Sequence, residues 1–205
     1  MGADVTHPAP DQMGLKPSIA AVVASIDPYA SKYHTQIKVQ FNKDKNAIEE
    51  ITDMEEITRE LLMRFYQNSG NKYKPERILF YRYEKFSKKK IFLVDFFEIF
   101  THLTLTNIID FRDGVSEGQF EMVVNKEISA IQRACKGLEK DYEPKITYFV
   151  AQKRHHTRFF PPENSKDKLK NGNVMPGTAV DTEITHPTVT AFYLASQEGI
   201  QVDFL

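Results

Sequence analysis

Gly2-Ala3-Asp4-Val5-Thr6-His7-Pro8 (G-A-D-V-T-H-P) opens the chain with a short apolar run that turns into a loop, with a carboxylate, Asp4, at that point. The residues that follow decide what this run pairs with. Residues 18–27 (S-I-A-A-V-V-A-S-I-D) are continuous and mostly small and apolar, closed by Asp27-Pro28, which is the pattern of a buried strand. Residues 33–41 alternate, with Ile37, Val39 and Phe41 on one face, and read as a partner strand across the Asp27–Lys32 turn. Ile48, Ile51, Met54, Ile57, Leu61 and Phe65 then recur every three or four residues. That spacing predicts a helix of about five turns, ended by Asn68-Ser69-Gly70.

Arg77–Arg82 (R-I-L-F-Y-R) is a short buried strand. A second helix follows Gly114, with Ser116 and Gln119 at capping-box spacing. Phe120, Val123, Val124, Ile128, Ile131, Cys135 and Leu138 line one face of it. Lys145–Lys153 alternates into another strand, residues 159–177 form a polar loop, and Val180–Thr185 and Thr188–Ala195 are extended pieces. The order β-β-β-α-β-α-β is an α/β layout built on a mixed sheet.

A chain of 205 residues buries one sizeable core, so one domain over 1–205 is expected. Hydrophobic and charged fractions of 41% and 27% are those of a soluble globular protein. The single cysteine, Cys135, excludes an internal disulfide, fits a reducing compartment and sits on the apolar helix stripe as buried filler. A net charge of −1 argues against a general polyanion-binding surface, so nucleic-acid contact must come from a local patch. Polar residues and prolines after Met1 predict no signal peptide. The run Ile91–Phe111 is long enough to raise a membrane question, but Asp95, Glu98, His102 and Asp110 interrupt it. Each charge at membrane depth costs about 2.5–3.5 kcal/mol, so no membrane partner is expected.

Four further strings recur downstream of the opening motif. They are K-P-S-I-A-A-V-V at 16–23, R-D-G-V-S-E-G-Q-F at 112–120, Q-K-R-H-H-T-R at 152–158 and D-T-E-I-T-H-P-T at 181–188. With G-A-D-V-T-H-P, and in this order, they closely resemble the Piwi domain of eukaryotic Argonaute proteins over most of the chain. The resemblance implies a ribonuclease H-like fold, a mixed sheet flanked by helices, here expected to be incomplete at both ends. It implies a small guide RNA and a target RNA as partners, a cytoplasmic setting, and an ancestral role in RNA-mediated gene silencing (RNA interference) through guided cleavage.

Hydrolysing a phosphodiester at neutral pH needs an activated water and a stabilised leaving oxyanion, which two divalent ions about 3.5–4 Å apart provide. Such ions take oxygen ligands. By resemblance, Asp4 and Asp113 correspond to metal ligands for Mg²⁺ or Mn²⁺, and Glu49 to a third catalytic carboxylate, with Glu50 a near alternative. Taken alone, Asp4 and Asp113 also read as turn residues, and Glu49, three residues after Asn46, as support for a helix N-terminus. The resemblance further implies contacts from Lys153, Arg154, His156 and Arg158 to the guide backbone. Clusters of this kind hold phosphates, although a lone one is more often a solvated strand end.

The chain departs from the family pattern in three places. In Argonautes the strand R-I-L-F-Y-R runs straight into D-G-V-S-E-G, whereas here Tyr83–Phe111 intervenes, rich in Phe, Ile and Lys and devoid of Gly and Pro. Loop closure tolerates this, at about 0.6 kcal/mol per doubling of length. The aromatic content is the difficulty, because an exposed loop should not carry it. A translated intron or gene-model error is the simplest account, and a genuine extra helix or hairpin the alternative. Within this segment Asn107–Arg112 (N-I-I-D-F-R) could compete with Arg77–Arg82 for the central strand. That would bury Asp110, so Arg77–Arg82 is expected there, with Asp113 returned to the strand end. Set against the family pattern, the half-strand before Gly2 and the basic segment after Gln201 are expected to be missing, and the fourth metal ligand to have no counterpart. The expectation is therefore an RNA-binding fragment that does not cut RNA by itself. A truncated or mis-predicted product without independent activity is the alternative.

Overall fold

Ser18, Ala20, Val22 and Ala24 are buried while Ile19 and Val23 stay open to solvent, and this one-sided alternation organises the sheet. The computed structural model describes residues 1–12, 14–41, 50–83, 109–110, 117–151, 157–166, 168–185 and 190–198. β1 (Gly2–Thr6) pairs antiparallel with β2 (Ser18–Ser25), and β2 with β3 (Tyr33–Gln40). On the other side β4 (Arg77–Tyr83) lies parallel to β1, and β6 (Lys145–Ala151) parallel to β4. Parallel neighbours require crossovers, and two helices supply them: α1 (Met54–Asn68) between β3 and β4, and α2 (Glu117–Leu138) between β4 and β6. Beyond β6 lie two short strands, β5 (Ile109–Asp110) and β8 (Thr190–Ala191), which complete the order β3-β2-β1-β4-β6-β5-β8. The predicted extended pieces near the C-terminus shorten to β7 (Ala179–Val180), β8 and β9 (Tyr193–Leu194), with β7 and β9 paired to each other. The fold is the α/β, ribonuclease H-like mixed sheet expected from the sequence.

One core fills the space between sheet and helices. Ala3, Val5, Ala20, Val22, Ile78, Phe80, Tyr148 and Val150 from the strands meet Met54, Ile57 and Leu61 of α1 and Ile131 and Cys135 of α2. Paired register stacks Phe80 on Tyr148 at 4.9 Å, which adds about 0.5–1.5 kcal/mol to the area buried. Cys135 is buried filler as expected, and burial pushes its thiol up to about 11, outside the nucleophilic range.

Three expectations need correction. β2 is buried on one face only. The register Ile37↔Ala21 and Val39↔Ile19 turns the apolar side of β3 away from the helices, leaving Ile37 63% exposed. The first helix is shorter than its apolar spacing suggested. It begins at Met54, because the backbone of residues 50–52 is held by side chains of β3 and α2 instead of by a helical turn; Ile48 lies outside the described residues. Its end is as read: Gly70 N–H bonds Gln67 C=O at 3.1 Å and Asn71 N–H bonds Tyr66 C=O at 2.9 Å. That pair of bonds puts Gly70 at φ +72°, a conformation suited to glycine. Finally, Arg77–Tyr83 takes the central position as expected, yet the competing run does not wholly loop out. Ile109 and Asp110 join the sheet on the far side of β6, opposite Phe149 and Val150. No described helix is long and apolar enough to cross a membrane.

Candidate functional site at the strand tips

Ala3 and Val5 point into the helix-covered core, so Asp4 between them points to the opposite face of β1. Its Oδ1 is buried and has no hydrogen-bond partner. A buried carboxylate oxygen left this way is costly, and such an atom fits a hard cation that takes oxygen ligands. Register sets Asp4 beside Ala21 on β2 and Tyr83 on β4. One turn further on, His7 Nδ1 lies 2.8 Å from Ser18 Oγ, which ties the T-H-P loop back to the start of β2.

The pairing with Tyr83 bears directly on the expected second carboxylate. R-I-L-F-Y-R brings the chain to the point beside Asp4, and the next residue there is Tyr83, not an aspartate. Asp113 and Glu49 lie outside the described residues. Glu50, the near alternative to Glu49, is described, and its carboxylate pairs with Lys126 of α2 at 2.6 Å. Among the described residues no three metal-ligating side chains gather. Asp4 therefore fits a divalent ion by its bare Oδ1, while the described residues by themselves do not form the cage.

Of the basic segment, Lys153, Arg154 and His156 lie outside the described residues and Arg158 within them. Thr157 and Phe159 are turned inward against Tyr193 of β9, through a 3.3 Å hydroxyl contact and an edge-on ring contact at 5.3 Å. Alternation then leaves Arg158 and Phe160 exposed on the other side, with the Arg158 guanidinium also donating to Thr157 C=O at 3.0 Å. A cation and an aromatic ring displayed together suit a phosphate backbone and an unstacked base.

The feature that sequence reading missed is Glu127. It stands on the apolar stripe of α2, four residues before Ile131, and is 1% exposed. Its Oε1 accepts the Ile51 N–H at 3.0 Å and lies 3.6 Å from Arg82 Nε; its Oε2 accepts the Tyr148 hydroxyl. Burial pushes the carboxyl above its usual range, while Arg82, the Tyr148 hydroxyl and the Ile51 amide pull the other way. The same burial, with Glu127 beside it, pushes the Tyr148 hydroxyl well above its ordinary value. A signal was present in the sequence: a glutamate at a core position of an amphipathic helix needs a buried partner, and Arg82 in an apolar strand needs one too.

A Piwi-domain family model matches residues 1–84 and 83–202, two stretches that meet where the R-I-L-F-Y-R strand ends. The order of strands and helices, the carboxylate on β1 and the basic segment after β6 are all in keeping with that match. Piwi domains are nucleic-acid-binding modules of Argonaute-type proteins. On a match that spans nearly the whole sequence, this chain belongs to the Piwi-domain family.

Proposed function

We propose that this chain binds RNA as a Piwi domain, holding a small guide RNA and its paired target in RNA-mediated silencing in the cytoplasm, and does not cleave RNA by itself. Lys153, Arg154, His156 and Arg158 hold the guide backbone in this reading. Asp4, Asp113 and Glu49 are the residues that would hold Mg²⁺ or Mn²⁺, an ion that, when bound, activates water and stabilises the leaving oxyanion. The binding function draws its main support from Arg158, displayed outward with Phe160 at the end of the basic segment of a Piwi-family chain. The absence of cleavage is supported by the register that sets Tyr83 beside Asp4, where the family pattern has an aspartate.

Fluorescence anisotropy with a labelled single-stranded RNA tests binding. The dissociation constant should rise steeply with salt, and Arg158→Ala should weaken binding and flatten the log–log salt slope by about 0.7, the value of one lost phosphate contact. Binding that is insensitive to both refutes the reading. Incubation with guide, target and Mn²⁺ tests the second half, and cleavage abolished by Asp4→Ala would refute it.

A further inference from the structure

Three chain segments that matter to an RNA-binding Piwi domain converge on one buried side chain. The first is the loop before α1, where Glu49 immediately precedes Glu50-Ile51 in sequence. The second is the tip of β4, where Arg82 pairs with Ala3 and is followed by Tyr83 beside Asp4. The third is β6, where Tyr148 stands four residues before the basic segment begins at Gln152. Glu127 holds all three, through the Ile51 N–H, the Arg82 guanidinium and the Tyr148 hydroxyl. We infer that Glu127 is a positioning residue, a buried clasp on α2 that sets the acidic loop before α1, the tip of β4 and the root of the basic segment relative to one another.

The surroundings of Ile51 support this assignment. Residues 50–52 belong to no helix or strand, so their backbone groups need partners from elsewhere. Gln40 of β3 supplies two: its Nε2 donates to Glu50 C=O at 3.1 Å, and its Oε1 accepts the Thr52 N–H at 3.0 Å. Lys126, the neighbour of Glu127 on α2, pairs with the Glu50 carboxylate at 2.6 Å. The Ile51 N–H between them goes to Glu127. The loop is thus held from two sides, by Gln40 on β3 and by adjacent residues of α2. Burying an ion pair such as Arg82–Glu127 returns little net stability compared with an apolar core, so its structural effect is to select one geometry. Among the described residues Glu127 meets neither Asp4 nor Arg158, so it acts through the segments it holds.

The functional part of this inference rests on the RNA-binding reading, and the experiment separates the two. Amide hydrogen exchange and RNA anisotropy are measured on the full chain for wild type, Glu127→Leu and Glu127→Gln. Glu127→Leu should raise exchange at Ile51 and Arg82 by at least about tenfold, with Ala20, Val22 and Phe80 in the core unchanged, and should weaken RNA binding by about tenfold with the same salt slope. Glu127→Gln keeps an acceptor for the Ile51 N–H and should restore protection there, leaving excess exchange at Arg82. Unchanged exchange at Ile51, an equal rise over the whole core, or wild-type RNA affinity in a variant whose Ile51 has opened overturns the proposal. If Glu127→Leu does not fold, the split between Ile51 and Arg82 in Glu127→Gln decides. If wild type shows no salt-dependent RNA binding, the RNA reading fails and the exchange pattern alone decides the clasp.

Discussion

Asp4 and Glu127 are two carboxylates close to the same strand tips, on opposite faces of the sheet, and their surroundings differ completely. Glu127 lies on the helix-covered face and is met by an amide from the loop before α1, a guanidinium from β4 and a hydroxyl from β6. Asp4 lies on the other face with a buried oxygen that nothing in the described structure meets. A carboxylate whose two oxygens are both met by protein donors is a structural fastening, with little left to offer a ligand. One whose oxygen is desolvated and bare carries a cost that a bound cation would relieve. Burial alone would have ranked Glu127 as the functional acid; the count of partners reverses that ranking.

The largest expected effect tests the first half of this contrast. Glu127→Ala takes a buried carboxylate away from the buried Arg82 and should cost about 3–5 kcal/mol in chemical denaturation. A loss under 1 kcal/mol would show that the clasp is not a clasp. Next, Tyr148→Phe deletes one donor to that carboxylate and keeps the stack on Phe80, for an expected loss of about 1.5–3 kcal/mol.

The pH dependence carries the same contrast with a definite sign. Burial raises the folded-state pKa of Glu127 above its ordinary value, so the folded chain holds that proton more tightly than the unfolded chain. The stabilisation from this proton is complete below the unfolded value and is lost as pH rises through the folded one. Unfolding free energies measured upward from pH 4.5 should decline in wild type relative to Glu127→Gln, which lacks the titrating group. Parallel profiles would contradict the raised value.

Asp4 should behave in the opposite sense. In EDTA, Asp4→Ala removes an unsatisfied buried acceptor and should leave stability unchanged or raise it by about 1 kcal/mol. With Mn²⁺ added, any thermal shift shown by wild type should vanish in the variant. A clear loss of stability in EDTA would mean that Asp4 has a structural partner after all. The smallest effect belongs to surface pairs such as Arg133–Glu55, 2.7 Å apart but 60% and 51% exposed, where Arg133→Ala should stay within about 0.5 kcal/mol. A larger loss there would mean that charge pairing alone, without burial, separates fastening from ligand.

Much of this was legible in the amino-acid order. Short apolar runs placed β2 and β4, alternation placed β3 and β6, period-3.6 spacing placed both helices, and Gly70 marked the end of α1, because local backbone and side-chain preferences act over a few residues. Asp4 was legible too, through the motif around it. Pairing was not. The face on which Ile37 and Val39 lie depends on the register between β2 and β3, and Ile109–Asp110 joins β6 through a contact made forty residues away in sequence. The partners of Glu127 were not legible for the same reason, since Ile51, Arg82 and Tyr148 are brought to it only when α2 packs across the sheet. Sequence alone determined the main strands and helices, the family resemblance and the residues that carry charge. Tertiary structure alone decided which of those charges are satisfied, because partners are supplied by packing over long separations and no local pattern encodes them.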